Sequence, residues 1–317
     1  LKYKIFIICT LTGLFLPLLA LVSCNSEHEK TEIVKLGAKL NANTLTPNPG
    51  KTDPLKPDNP GGGATDPNGG AAAGNSGSRA ANQQDEAKKQ SIIDYLIALI
   101  NQGIKDNINT HNDTTWNEAA GGYNIQASNQ LFGVIQYTDA QKQQKLYNLQ
   151  DNESKTARRE MYLGFDYFPP YIEAFGKLAN KMVSTQNVQM KTDLENMVDK
   201  IREYGTAYYL TAFNTLIKKQ DKLMGLDLGD LQTLKEKFNE INLANTEISH
   251  EFTYLIYYNY DKNIEVGTAD PKHQLQTTAT AEEIQDYLKD RFNSAESDFD
   301  AIIKEATDIA NILNKIQ

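Results

Sequence analysis

Two cysteines are all the sulfhydryl chemistry in the 317-residue chain, and both lie near its start, at Cys9 and Cys24. The remainder therefore has no thiol for a disulfide, a zinc site or a nucleophile. Histidine is scarce as well. His28, His111, His250 and His273 are far apart, and none sits in an H-E-x-x-H or comparable ligand spacing. The glycine runs at 61–63 and 69–70 fall in a proline-rich stretch with no strand or helix to follow, so they make no phosphate loop. Carboxylates are spread along helices without a pairing that would mark an acid and a base. These absences predict a non-catalytic protein with no cofactor and no metal. Positive charge is short too: the net charge is −9, and beyond Asp85 there are 24 Lys+Arg against 34 Asp+Glu. So acidic a domain lacks the attraction that dominates nucleic-acid affinity, and nucleic acid is not an expected partner.

The first stretch with a definite message is the N-terminus. Lys2 and Lys4 precede a nearly uncharged apolar run, 5–22, which contains Gly13 and Pro17 and ends in Leu21-Val22-Ser23-Cys24. That is the pattern of a secretory signal at residues 1–23. The run sits at the lower edge of membrane-spanning length, and Pro17 with no positive charge after it argues against a spanning helix. Leu at −3, a small residue at −1 and then Cys is the bacterial lipidation pattern, which makes Cys24 the lipid-bearing first residue. Stable anchoring needs more than one acyl chain, and a triacylated cysteine supplies it. The implied partner is the outer membrane. Residues 24–85 have almost no apolar periodicity, and six of the ten prolines lie between Pro47 and Pro67. Such composition predicts a disordered tether with a reach of roughly 40–45 Å.

From residue 86 to 317 helix formers dominate, and proline returns only at Pro169, Pro170 and Pro271. Apolar spacing predicts a first helix over 85–108, then a loop over 110–122 pinned to the core by Trp116. A second helical region covers 128–150, broken near Tyr137-Thr138-Asp139, and a third covers 154–165. A fourth begins at Pro169-Pro170, where a first-turn proline is tolerated. Three longer helices follow: 188–223, 228–259, and one opened by the capping box Thr280-x-x-Glu283. In the second of these, Leu231, Leu234, Phe238, Ile241, Asn245, Ile248, Phe252 and Leu255 alternate three and four apart. The aromatics at 252–260 also favour a strand, but the continuing helical spacing decides for helix. The fold class is all-α, a bundle of about seven helices. Several amphipathic helices in one chain can satisfy each other, which predicts a monomer rather than a coiled-coil oligomer. The basic groups Lys155, Arg158, Arg159 and Lys218, Lys219, Lys222 read as solvated helix faces.

One segment goes further. Arg159-Glu160-Met161-Tyr162-Leu163-Gly164-Phe165-Asp166-Tyr167, followed by Ile172-Glu173, resembles the R-x-x-Y-x-x-L-D-Y … I-E signature of Borrelia surface lipoproteins of paralogous family 54, the CspA-like complement-regulator-acquiring proteins. The lipidation pattern, the tether and the helix order resemble that family too. As packing alone, the signature is a set of aromatics at a helix junction. The resemblance implies an all-helical domain exposed on the spirochaete outer surface. Some members bind the complement regulator factor H, others bind terminal complement components, plasminogen or further host proteins, and many have no such activity. The last helix supports a homodimer in one well-known member. Here it has its own apolar pattern and follows a long loop, 259–279, so neither dimer nor ligand is carried over.

Two function classes follow: a binder of a host serum or matrix protein, taking part in immune evasion, and a shielding surface lipoprotein without a specific ligand. For the binder, the partner-binding candidates are Tyr254, Tyr257, Tyr258 and Tyr260 with Lys272 and His273 from the loop 261–279, which is long for a compact helical domain. A plain connector that lets the last helix turn back is the simpler role for that loop. Localisation has a direct check. Cys24→Ser should move the protein from the detergent phase to the aqueous phase, and membrane association that survives the change contradicts lipidation at Cys24.

Overall fold

The structure, a computed structural model, describes residues 76–316. The expected signal sequence, Cys24 and the tether up to residue 75 lie outside the described residues. Among these the chain forms eight helices and two short hairpins. Helix α1 is Ser76–Leu99, so the expected domain start at residue 86 falls inside it. α2 is Gln102–Asn112, α3 a single turn at Leu131–Val134, α4 Asn152–Gly164 and α5 Pro169–Val183. α6 runs Val188–Gly205, passes through a π-helical stretch at Thr206–Phe213 and continues as Asn214–Lys219. α7 runs Leu228–Ile248, has a π stretch at Ser249–Thr253 and ends as Tyr254–Asp261. α8 is Ala281–Leu313. The strands β1 (Gln136–Thr138) and β2 (Gln144–Leu146) pair antiparallel, as do β3 (Glu265–Val266) and β4 (His273–Gln274). None of these helices is long and apolar enough to cross a membrane.

The caps follow the sequence. Thr280 and Glu283 form the reciprocal capping box at the start of α8. Asp151, Asn187 and Asp227 each accept a backbone N–H at the starts of α4, α6 and α7. Pro169 and Pro170 open α5. α7 and α8 pack along much of their length, with α1 against α7, α4 against α6, and α5 against the end of α7. Through the middle runs a chain of ring contacts: Phe175, Phe165, Phe252, Phe299, Tyr204, Tyr208, Phe213 and Phe238, each to the next at centroid distances of 5.0–6.3 Å. Two of these rings keep their hydroxyls paired. Tyr204 donates to Asn245, and Tyr208 to Asn242 at 2.8 Å.

The structure departs from the expected elements at definite points, each with a local cause. The first helix breaks after Leu99, because Asn101 caps a new start by accepting from the Ile104 amide. The region 128–150 is mostly not helical. Asp139 accepts from the amides of Gln141 and Gln143 and closes a tight turn, with Lys142 at positive φ, so the chain folds back as β1–β2. The π stretch in α7 adds a residue to the turn, and Ile256 rather than Leu255 is buried. In α6 the π stretch coincides with the five-residue step from Tyr208 to Phe213 in the apolar pattern. Arg158, read as part of a solvated face, is 1% exposed. Its guanidinium donates twice to Glu118 and also to the carbonyls of Tyr147 and Leu149. A buried charge held this way is tolerated because its donors are satisfied.

The signature segment is the joint of the bundle. Arg159 donates to the carbonyls of Thr110 and Asp113, and Tyr162 donates to Glu118, so both fix the loop that carries Trp116. Trp116 packs edge-on to Tyr167 at 5.1 Å, as its expected pinning role requires. Asp166 and Tyr167 both have positive φ, and the chain turns there into α5. The Tyr209 hydroxyl donates to Asp166 and accepts from Asn107.

Two expectations follow. Phe238 is fully buried against Phe213, so Phe238→Ala should lower stability by about 3–5 kcal/mol in denaturant unfolding. Burial raises the Asp166 carboxyl from 3.8 to about 6, against the opposing Tyr209 hydrogen bond. The folded chain therefore holds a proton that the unfolded chain releases, and this group's contribution to stability falls as pH rises from 3.8 to about 6. Asp166→Asn keeps an acceptor for Tyr209 and suits positive φ. Its stability advantage over the wild type should grow across that window and then level off; parallel melting curves at pH 4 and pH 7 would contradict this.

Candidate partner-binding face

Five rings form a continuous strip where the start of α5 meets the end of α7. Pro169 and Pro170 set the entry of α5 and leave Phe168 just outside it, 38% exposed and edge-on to Tyr171 at 4.7 Å. Tyr171 meets Tyr257 at 5.7 Å, and Tyr257 meets Tyr254 at 6.4 Å. Tyr254 stacks on Tyr258 at 5.9 Å and 29°. Tyr254 and Tyr258 are 41% and 43% exposed, high for large aromatics in a packed helix. Tyr171, between Phe168 and Tyr257, is half-buried, and burial pushes its hydroxyl up to about 12. Lys262 lies over the Tyr258 ring at 5.9 Å.

The expected candidates divide. Tyr254, Tyr257 and Tyr258 come together in the strip. Tyr260 is one turn on, half-buried, with Lys177 of α5 over its ring at 5.6 Å. Lys272 is exposed at the β3–β4 hairpin and makes no contact with the rings. His273 faces α8 instead, with Nδ1 2.8 Å from Glu283 Oε2. The residues 261–279 are not a slack connector. Leu275 is fully buried and bonds to the Ile264 carbonyl, Gln276 reaches both Asn263 and the Tyr260 carbonyl, and Lys181 holds the Gln276 carbonyl at 2.9 Å. Cutting out 266–274 would therefore remove a strand pair and the His273–Glu283 contact, and is not a neutral change. Phe168 and Tyr171 were missed from sequence, though the run Phe168-Pro169-Pro170-Tyr171 places two rings around a fixed helix start.

Other groupings are less suited to a site. Glu247, His250 and Glu251 bring three ligand-type atoms within 4.8 Å of one another, but they are mostly exposed and Arg291 stands 3.8 Å from Glu251. A groove of about 480 Å³ has Arg202 in its wall. That guanidinium is already committed to Glu160, Asp199 and the Tyr147 hydroxyl.

With these features in place, comparison with known proteins decides the lineage. The family described as Borrelia Bbcrasp-1 domain containing protein matches residues 112–314. The chain belongs to that family. The matched span begins at the last residue of α2 and takes in the joint, the aromatic strip, the β3–β4 hairpin and all of α8. Among solved structures, the chain is similar to a C-terminal proteolytic fragment of an outer surface protein from Borrelia burgdorferi, at 18% identity and a TM-score of 0.51. That match covers 70% of this chain and 99% of the other. Outer surface protein BBA66 from the same organism matches at 16% identity and a TM-score of 0.52, with coverage of 70% and 99%. The Lyme disease associated outer surface protein BBA65 matches at 14% and 0.51, with coverage of 71% and 99%. At such identities the likeness is one of fold. No curated protein sequence matches the chain.

Proposed function

We propose that this domain is a non-catalytic binding module, held on the bacterial outer surface by lipid at Cys24, and that it takes a host protein through the aromatic strip. Membership of the Bbcrasp-1 domain family and the outer surface description of the similar structures support display on the cell exterior. The observation that carries the binding role is the strip itself. Tyrosine offers large, stiff contact area with a polar tip, at small entropic loss on docking. Here the rings are already ordered by each other and by two helices, so little is lost when a partner settles on them. A stable interface covers roughly 800 Å² on each partner, so the strip would be its centre, with Lys262 and the polar helix faces as rim. A protein of host serum fits this chemistry, and the family resemblance makes complement proteins the first to test. The shielding alternative requires no such strip.

The test is a serum and matrix-protein pull-down with residues 76–317, followed by the same capture with Tyr254→Ala/Tyr258→Ala. Both rings are half outside the core, so the melting temperature should hold while affinity falls at least about tenfold. A captured protein that binds the double variant equally well would remove the strip from the account. A blank across serum and matrix would favour shielding.

A further inference from the structure

A different face carries a recess of about 310 Å³ between the loop before α3 and the outer side of α4. Lys155 and Arg159, one helical turn apart, both line it, and neither has a carboxylate within 4.0 Å. Arg159 donates through Nη2 to the Thr110 and Asp113 carbonyls while its Nε has no partner, and the ammonium of exposed Lys155 has no hydrogen-bond partner among the described residues. Like charges at this spacing oppose the helix unless an anion joins them. The nearby carboxylates are occupied. Glu118, in the same wall, is neutralised by Arg158 and accepts from Tyr162. Asp113 is turned to the amide and hydroxyl of Thr115. The positive field has a second witness in His111, whose ring is held neutral, down to about 4, by burial and then by the charge of Arg159.

The rest of the lining says which anion. Asn117, Gln126 and Gln150 line it too; the Asn117 oxygen accepts from the Ala119 amide and the Gln150 nitrogen donates to the Asn148 carbonyl, which leaves the Asn117 nitrogen and the Gln150 oxygen for hydroxyls. Trp116 supplies an indole wall, with the Arg159 guanidinium 5.5 Å from its ring centre. Two cations, three carboxamides and one aromatic wall are the complement of a small polyhydroxylated acid. The recess lies at the small end of ligand sites, and the acidic domain around it repels long polyanions. We infer that this recess binds a single acidic sugar residue, its carboxylate at Lys155 and Arg159 and its hydroxyls at the carboxamides. The site is independent of the aromatic strip and stands or falls separately from it.

Trp116 is the sole tryptophan of the chain, so the site carries its own reporter. Emission of the intact protein should be followed against glucuronate, glucose and acetate at constant ionic strength, with saturation-transfer NMR on the same ligands so that a silent indole does not hide binding. Glucuronate should give a saturable response, with glucose and acetate at least about tenfold weaker. Lys155→Ala, at an exposed position, should lose about tenfold in glucuronate affinity with an unchanged melting temperature. Lys218→Ala, on another exposed helix position, should lose nothing. Absence of saturable glucuronate binding by either method overturns the inference. So does acetate binding as well as glucuronate, or glucuronate affinity undiminished by Lys155→Ala.

Discussion

The arrangement depends on one close crossing. At the end of α4, Gly164 lies directly against α6 at Gly205. A Cβ built on Gly205 would stand 2.7 Å from the Gly164 nitrogen, and one built on Gly164 would stand 2.5 Å from the Ile201 carbonyl oxygen. Backbone cannot yield as a side-chain tip can, so only glycine allows the two helices this approach. Immediately after the crossing, α6 enters its π stretch, and α4 gives way to the two positive-φ residues Asp166 and Tyr167. The entry of α5, and with it the position of Phe168 and Tyr171 beside Tyr257, follows from that joint.

Around the crossing, polar contacts fix direction while rings supply the buried area. The Arg158–Glu118 pair is not a stabilising luxury, since replacing one partner would strand a charge in the core. It ties the loop after α2, with its short 3-10 turn at Glu118–Gly121, to α4, and the Tyr162 hydroxyl shares the same carboxylate. Two unlike surfaces result from one joint. On one side, rigid helices hold the aromatic strip; on the other, the tied loop forms the wall of the cationic recess.

Much of the fold was legible because α7, α8 and the proline start of α5 obey short-range rules: three-four spacing, a capping box, a fixed φ. The five-residue step from Tyr208 to Phe213 in the apolar pattern also carries the trace of the π stretch. What was not legible depends on partners distant in sequence. Nothing beside Arg158 says that Glu118, 40 residues away, would bury it. The β1–β2 turn hinges on Asp139 gathering two amides, which apolar periodicity does not register. The tyrosines at the end of α7 were visible as a group, but their exposure and their continuation into Tyr171 and Phe168 required the crossing of two helices. His273 looked like a loop residue and is engaged by Glu283 of the capping box. The signature, read from sequence as a helix junction, is one: Arg159, Tyr162, Gly164 and Asp166 each make a contact that holds the joint.

The central claim is that backbone contact at Gly164 and Gly205 sets this joint, and a pair of alanine substitutions measures it directly. Both positions are helical, so alanine gains up to about 1 kcal/mol of helix propensity at each. At Gly229 the nearest atom to an added Cβ is the Asp227 side chain at 3.4 Å, and Gly229→Ala should be neutral or slightly stabilising. Gly205→Ala should lose about 2 kcal/mol or more in denaturant unfolding despite the propensity gain. A Gly205→Ala protein as stable as the parent would contradict the account.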